Sequence, residues 1–274
     1  MSASADVAAF RGTLPPVRSK GISAFVRDTS LITHRHLLRT WRTPQLMVLS
    51  AFMPVMFVLL FRYVFGGSIH VPGYRSYADY LIPGILVQTV LFGGSSTAVG
   101  LADDLSKGIT DRFRSLPTHR SAILAARTLA DLIRLSYTVA LLIAIGYLVG
   151  FRFHNSVPHV AAGIGIALLF GFACCWMFAL LALWVRQAET ATLAAFVITF
   201  PFVFAASTFT STSTMPSALR AFADHQPVTR VVNALRTLTV GSGWPERPVL
   251  YALAWSLGIL IVSATVATWR FRKG

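Results

Sequence analysis

The chain has 274 residues, 55% of them apolar and 12% charged, with a mean hydropathy of +0.64. A soluble domain carries roughly 25% charged residues, so this supply excludes a water-covered globule and leaves a chain whose surface faces lipid. Lys and Arg number 24 against 10 Asp and Glu, for a net charge of +14. These cations sit between long apolar runs, which points to topology signals and anionic lipid rather than to nucleic acid.

The first twenty residues contain Asp6, Arg11, Pro15, Pro16, Arg18 and Lys20 without an apolar core. They predict a disordered cytoplasmic tail over 1–20 and no cleavable leader. Over 21–42, Ile22, Phe25, Val26, Ile32, Leu37, Leu38 and Trp41 keep roughly helical spacing among Arg27, His34, Arg35, Arg39 and Arg42. That mixture suits an amphipathic helix at the membrane interface; the plainer alternative is a cytoplasmic flank. Six apolar stretches of bilayer-crossing length follow, predicting spans at about 43–65, 80–102, 128–151, 158–185, 189–209 and 248–269. The expectation is an all-α integral membrane domain over 43–270 with a short cytoplasmic tail over 271–274. With both termini in the cytoplasm, Lys and Arg distribute 17 inside and 7 outside, as the positive-inside rule requires.

Two connections carry more than a turn needs. After the second span, residues 103–117 combine Asp103, Asp104, Lys107, Asp111, Arg112 and Arg114 with Leu105, Ile109, Phe113 and Leu116, and Pro117 closes the segment. If helical, the four apolar residues form one stripe, and Pro117 stops the helix. A short amphipathic helix with mixed charge beside an aromatic fits a groove on another protein. The alternative is a helix on the lipid surface, against which the three acidic residues weigh, because the inner leaflet is itself anionic. Between spans five and six, a Ser/Thr-rich stretch over 207–217 precedes Leu219, Arg220 and Phe222. Gln226-Pro227 then opens a segment with Val231, Val232, Leu235 and Leu238 on one face and Arg230, Asn233 and Arg236 elsewhere. Such a connection predicts a pair of short re-entrant helices on the outer side, since non-spanning backbone is tolerated where protein or water covers it. Its arginines would reach headgroup level by snorkelling.

Site chemistry is sparse. Cys174 and Cys175 are neighbours in an apolar run and read as packing residues, and the spacing of His34 and His36 turns them to different helix faces. No metal site is expected. Small residues from Gly93 to Gly100, and Gly163, Gly165 and Gly171, predict close helix packing. No carboxylate lies mid-span, which argues against ion-coupled transport; Asp131, Arg134 and Glu189 fall near span ends.

Taken with this layout, the segment after span two resembles a family pattern. Asp103, Lys107, Gly108, Asp111, Arg112, Arg114, Ser115 and Pro117 match an acidic-x-x-x-basic-Gly-x-x-acidic-Arg-x-Arg-Ser-x-Pro motif. The chain thereby resembles the ABC-2-type permeases, and among them the daunorubicin-resistance-like drug exporters, from about residue 22 to its end. Gly150-Phe151-Arg152-Phe153 is similar to the same subgroup, and Gln226-Pro227 stands where relatives have Asn-Pro. The resemblance implies that residues 103–117 form a coupling helix seated in a cleft of an ATPase subunit. It implies a working unit of two ATPase subunits and two permeases, the second permease an identical copy or a relative. The three lysines, Lys20, Lys107 and Lys273, follow no Gly-rich phosphate cradle, so no cofactor is expected on this chain; ATP and Mg would be held by the partner. The implied function is export of an amphipathic drug, lipid or glycolipid by alternating access. The alternatives are a polysaccharide or O-antigen exporter permease and a stand-alone ion-coupled exporter.

Overall fold

Unpaired backbone groups are not tolerated in lipid, and a chain this apolar satisfies them within helices. The structure, a computed structural model, describes residues 21–41, 44–66, 71, 73–108, 120–209, 212, 215–241 and 246–273. Among them the long regular elements are α1 (Ile22–Trp41), α2 (Pro44–Leu60), α3 (Tyr77–Ser106), α4 (Arg120–Leu148), α5 (Val157–Val185), α6 (Ala188–Phe204), α7 (Ser217–His225), α8 (Pro227–Thr239) and α9 (Glu246–Lys273). A π-helical turn, Phe61–Phe65, extends α2. The tail expected over 1–20 lies outside the described residues.

Among the described residues four helices are long and apolar enough to cross a membrane: α3, α4, α5 and α9. The expected first and fifth spans correspond to α2 and α6, which are apolar but shorter. Seventeen residues in α6 reach about 26 Å at 1.5 Å per residue, under the ~30 Å of a bilayer core. It ends at Phe204 rather than 209 because Pro201 lies within its last turn and the carbonyls of Ser207 and Thr208 bind Arg236 instead of continuing the helix. At the other end of the chain, α9 continues to Lys273, so the expected tail is the end of that helix.

The core is built on α3. Its start is set by Ser76, whose side chain accepts from the Asp79 amide at 3.2 Å, with Asp79 in the first turn, an arrangement that satisfies free N–H groups and opposes the helix dipole. Every residue from Tyr77 to Leu91 is buried, because α4, α5, α6 and α8 all pack around it. The crossing with α5 depends on small residues, as expected. A Cβ on Gly94 would lie 2.7 Å from the Cys174 Cβ, and one on Gly171 would lie 2.9 Å from the Val90 Cβ. Cys174 and Cys175 are buried there as packing residues.

One expectation changes at the C-terminal end of α3. A single helix over 103–117 would place Leu105 and Ile109 on one stripe, but α3 stops at Ser106. Gly108 takes a left-handed φ of +65°, and the Lys107 and Gly108 amides close onto the Asp103 and Leu105 carbonyls at 3.1 and 3.2 Å. Glycine after a helix terminus adopts this conformation at little cost and ends the helix. Asp103 and Asp104 therefore belong to the last turn of the core helix.

Candidate functional site: a cavity, a charged ladder and an outer clamp

The first half of α4 faces the end of α3, and four ionisable residues meet there. Asp104 of α3 pairs with Arg127 of α4, both side chains under 20% exposed. Arg127 Nε also lies 4.0 Å from Asp131, and Arg134 Nε lies 3.5 Å from the other oxygen of Asp131. Thr97 donates to Asp131 at 2.8 Å. Arg134 Nη2 donates to the Gly93 carbonyl at 3.1 Å and to Ser96 Oγ at 2.5 Å. The signs alternate along this ladder, so each charge has an opposite neighbour as it leaves water. Charged groups at this degree of burial persist only when paired in this way.

Arg134 also borders an open cavity of about 460 Å³ lined by α2, α3, α4 and α6. Five phenyl rings line it, Phe57 from α2, Phe92 from α3, and Phe196, Phe200 and Phe204 from successive turns of α6, together with the polar Ser50, Gln88, Thr89, Ser96, Thr138 and Arg134. The α6 rings stack along the helix with centroids 5.3 and 4.3 Å apart. Gln88 lies in the wall, 3% exposed, and its amide oxygen has no hydrogen-bond partner among the described residues. An apolar chamber with a few polar groups is the usual form of a small-molecule site.

On the opposite side of the fold, Arg236 of α8 is 3% exposed and clamps three segments. Its Nε donates to the Tyr80 carbonyl at 2.9 Å. Its Nη2 donates to the Ser207 carbonyl at 2.7 Å and the Thr208 carbonyl at 3.1 Å, and Nη1 reaches Ser207 Oγ at 3.2 Å. The guanidinium stacks 3.5 Å from the Tyr80 ring centroid, and the Tyr80 hydroxyl donates to the Ser207 carbonyl at 2.8 Å. This corrects the expectation that Arg236 snorkels to headgroups. Its planar fork of donors matches the free carbonyls left where α6 ends, which a lipid-facing position would leave unpaired.

The ABC-2 type transporter pattern matches residues 27–239. The chain belongs to the ABC-2 type transporter family. It is 30% identical over 262 residues to the daunorubicin resistance ABC transporter permease protein DrrB1 of Streptomyces coeruleorubidus, covering 94% of this chain and 89% of that relative. It is 27% identical over 250 residues to the probable doxorubicin resistance ABC transporter permease protein DrrC of Mycobacterium tuberculosis, covering 91% of this chain and 90% of the relative. ABC-2 permeases of drug-resistance transporters work with ABC ATPase subunits and are not ATPases themselves.

In this ABC-2 permease the sequence-predicted residues divide three ways. Asp103 pairs with Lys107 at 2.7 Å on the exposed end of α3, and a Cβ on Gly108 would meet nothing within 4 Å among the described residues. Asp104 turns instead to Arg127, a partner within the chain. Asp111, Arg112, Phe113, Arg114, Ser115, Leu116 and Pro117 lie outside the described residues. In the outer region Gln226 is buried between α7 and α8, its amide nitrogen 3.4 Å from Thr229 Oγ1, and Pro227 opens α8. Asn233 accepts from Ser207 Oγ at 3.4 Å, and Arg230 covers the Tyr251 ring at 4.8 Å. These residues, with Arg236, hold α8 against its surroundings. The cavity was not visible in the sequence. Its one advance signal is Gln88, the single side-chain amide within the apolar run over 80–102.

Proposed function

We propose that this chain is the permease of an ATP-driven exporter that moves an amphipathic molecule through the cavity between α2, α3, α4 and α6. A separate ATPase supplies the energy. The supporting observation is the span of α3. One helix of 30 residues provides the cavity wall at Gln88, Phe92 and Ser96 and ends at Ser106 beside the charged segment. A helix of that length moves as a rigid rod, so a displacement of its inner end changes the chamber it lines.

In this reading α2 and α6 complete six spans, both termini are cytoplasmic, and α1 lies at the interface. The exposed Val26, Leu31 and Leu38 of α1 would face acyl chains, while Thr33 fixes the helix to α4 by donating to the Ala126 carbonyl at 3.2 Å. Two ATPase subunits hold ATP and Mg, and each receives residues 103–117 of one permease as its coupling segment. A second permease copy, identical or related, completes the pathway. Export then proceeds by alternating access as the ATPases close and open. Membrane lipids are the remaining partners, and nucleic acid has no part.

Phe113→Ala combined with Arg112→Ala tests the coupling assignment. Interface energy concentrates in a few aromatic and arginine anchors, each contributing about 2 kcal/mol or more. The double variant should insert and express normally but fail to retain the ATPase in a detergent pull-down. Full retention of the ATPase, together with unchanged transport, would remove these residues from the coupling role.

A further inference from the structure

We propose that the cavity selects amphiphiles with an acidic head: the apolar body lies among the phenyl rings and the anionic group is received by Arg134. This deepens the export reading and rests on the cavity being the cargo site. Arg134 is the one charged residue in the described wall. The carboxylates nearest to it, Asp131 and Asp104, are absent from that wall and are held by Thr97, Arg127 and Arg134 itself. An entering anion therefore meets the guanidinium before either carboxylate, and an entering ammonium meets the same guanidinium with its partner Asp131 behind it rather than in the wall.

The guanidinium is also prepared for a ligand. Its Nε faces Asp131 and its Nη2 is used by Gly93 and Ser96, which fixes the plane of the group. Among the described residues this leaves the Nη1 hydrogens as the remaining donors of its five. Arg–carboxylate and Arg–phosphate bonds are short, directional and about twice as strong as neutral ones, and Arg134, its side chain 16% exposed, is largely withdrawn from the water that would weaken them. Gln88 adds a second polar point on α3. Its buried oxygen is unpartnered and suits a hydroxyl or amide N–H on the ligand body. The apolar part of the wall is five phenylalanines with Met53, Ile85 and Leu135, a lining that accepts an acyl chain or an aromatic ring. The shared chemistry is an apolar body carrying a carboxylate, phosphate or sulfonate, whether the source is a membrane lipid or an aromatic acid.

The test uses the full chain in liposomes with two matched pairs of photoreactive probes. One pair is a diazirine-bearing palmitate analogue and the amine of the same chain. The other is a trifluoromethyl-diazirinyl benzoate and the corresponding benzylamine. After illumination, labelled peptides are mapped by mass spectrometry, and labelling at the withdrawn wall residues Ile85, Gln88 and Leu135 is expressed relative to the exposed Ile261 and Val262 of α9. The acid of at least one pair should label the cavity about tenfold more than its amine, the difference that one charged hydrogen bond supports. The pair showing the effect identifies a lipid-like or an aromatic source. Arg134→Gln should abolish the preference, and Arg134→Lys should retain most of it. Because the comparison of acid with amine is made on the wild-type chain, it stands even where a variant fails to fold. Equal labelling by acid and amine, or an excess of amine, overturns the acidic-head assignment while leaving the cavity as the cargo site. Failure of every probe to label the cavity, as when a second permease copy fills it, overturns both.

Discussion

Arg236→Met is expected to lower the stability of the folded protein by several kcal/mol. The side chain is nearly the same length and more apolar, so a surface-lying residue would tolerate the change. Here it removes the Arg236 donors to the carbonyls of Tyr80 and Thr208 and leaves the Ser207 carbonyl with the Tyr80 hydroxyl alone. A buried acceptor left unpaired costs about 1–3 kcal/mol, and these losses outweigh the desolvation relieved by losing the cation. Tryptophan fluorescence or size-exclusion recovery after heating in detergent would show a lower unfolding temperature and a smaller folded fraction. Arg236→Lys should restore only part of the loss, because one ammonium cannot reach three carbonyls on the geometry of a planar fork. A wild-type unfolding temperature in Arg236→Met would return this residue to the lipid surface.

Arg127→Ala should be the most damaging single change at the inner end. It leaves Asp104 without its cation and Asp131 with only Arg134, in a region under 20% exposed. Breaking a partly buried pair by removing one partner costs on the order of 2 kcal/mol or more. The companion variant Asp104→Asn, which removes the orphaned charge, should recover stability when combined with Arg127→Ala. A double-mutant cycle read by thermal unfolding measures that coupling. Strict additivity of the two changes would show that the contact contributes nothing.

Much of the layout was legible because it follows from the requirement that lipid-facing backbone be helical. Apolar runs locate α3, α5 and α9 within about four residues of the expected spans, while α4 begins eight residues before its expected span, at Arg120, and the periodicity of Val231, Val232, Leu235 and Leu238 identifies the buried face of α8. The glycines of α3 and α5 signal close packing because only a missing Cβ permits it. Other features depend on contacts between distant segments, which no local pattern encodes. Gly108 sits inside an apolar stripe that reads as one helix, and its left-handed conformation divides that stripe. Arg236 looks like an interfacial cation until the chain brings the carbonyls after α6 to it, 28 and 29 residues back along the sequence. Asp104 belongs to a motif that reads as facing outward, yet it meets a cation 23 residues later on α4. The cavity is the extreme case, since its wall comes from four helices and none carries a recognisable motif.

The most direct test of the account is transport by the purified permease with and without its cognate ATPase. Proteoliposomes would be loaded with dansylaminoundecanoate, or in parallel with doxorubicin, and the movement of fluorescence across the bilayer followed. The permease alone should move neither compound under MgATP or an imposed proton gradient, and addition of the ATPase with MgATP should start transport of at least one. Transport by the permease alone, driven by the proton gradient and indifferent to ATP and ATPase, would contradict the account and make this chain a self-sufficient ion-coupled exporter.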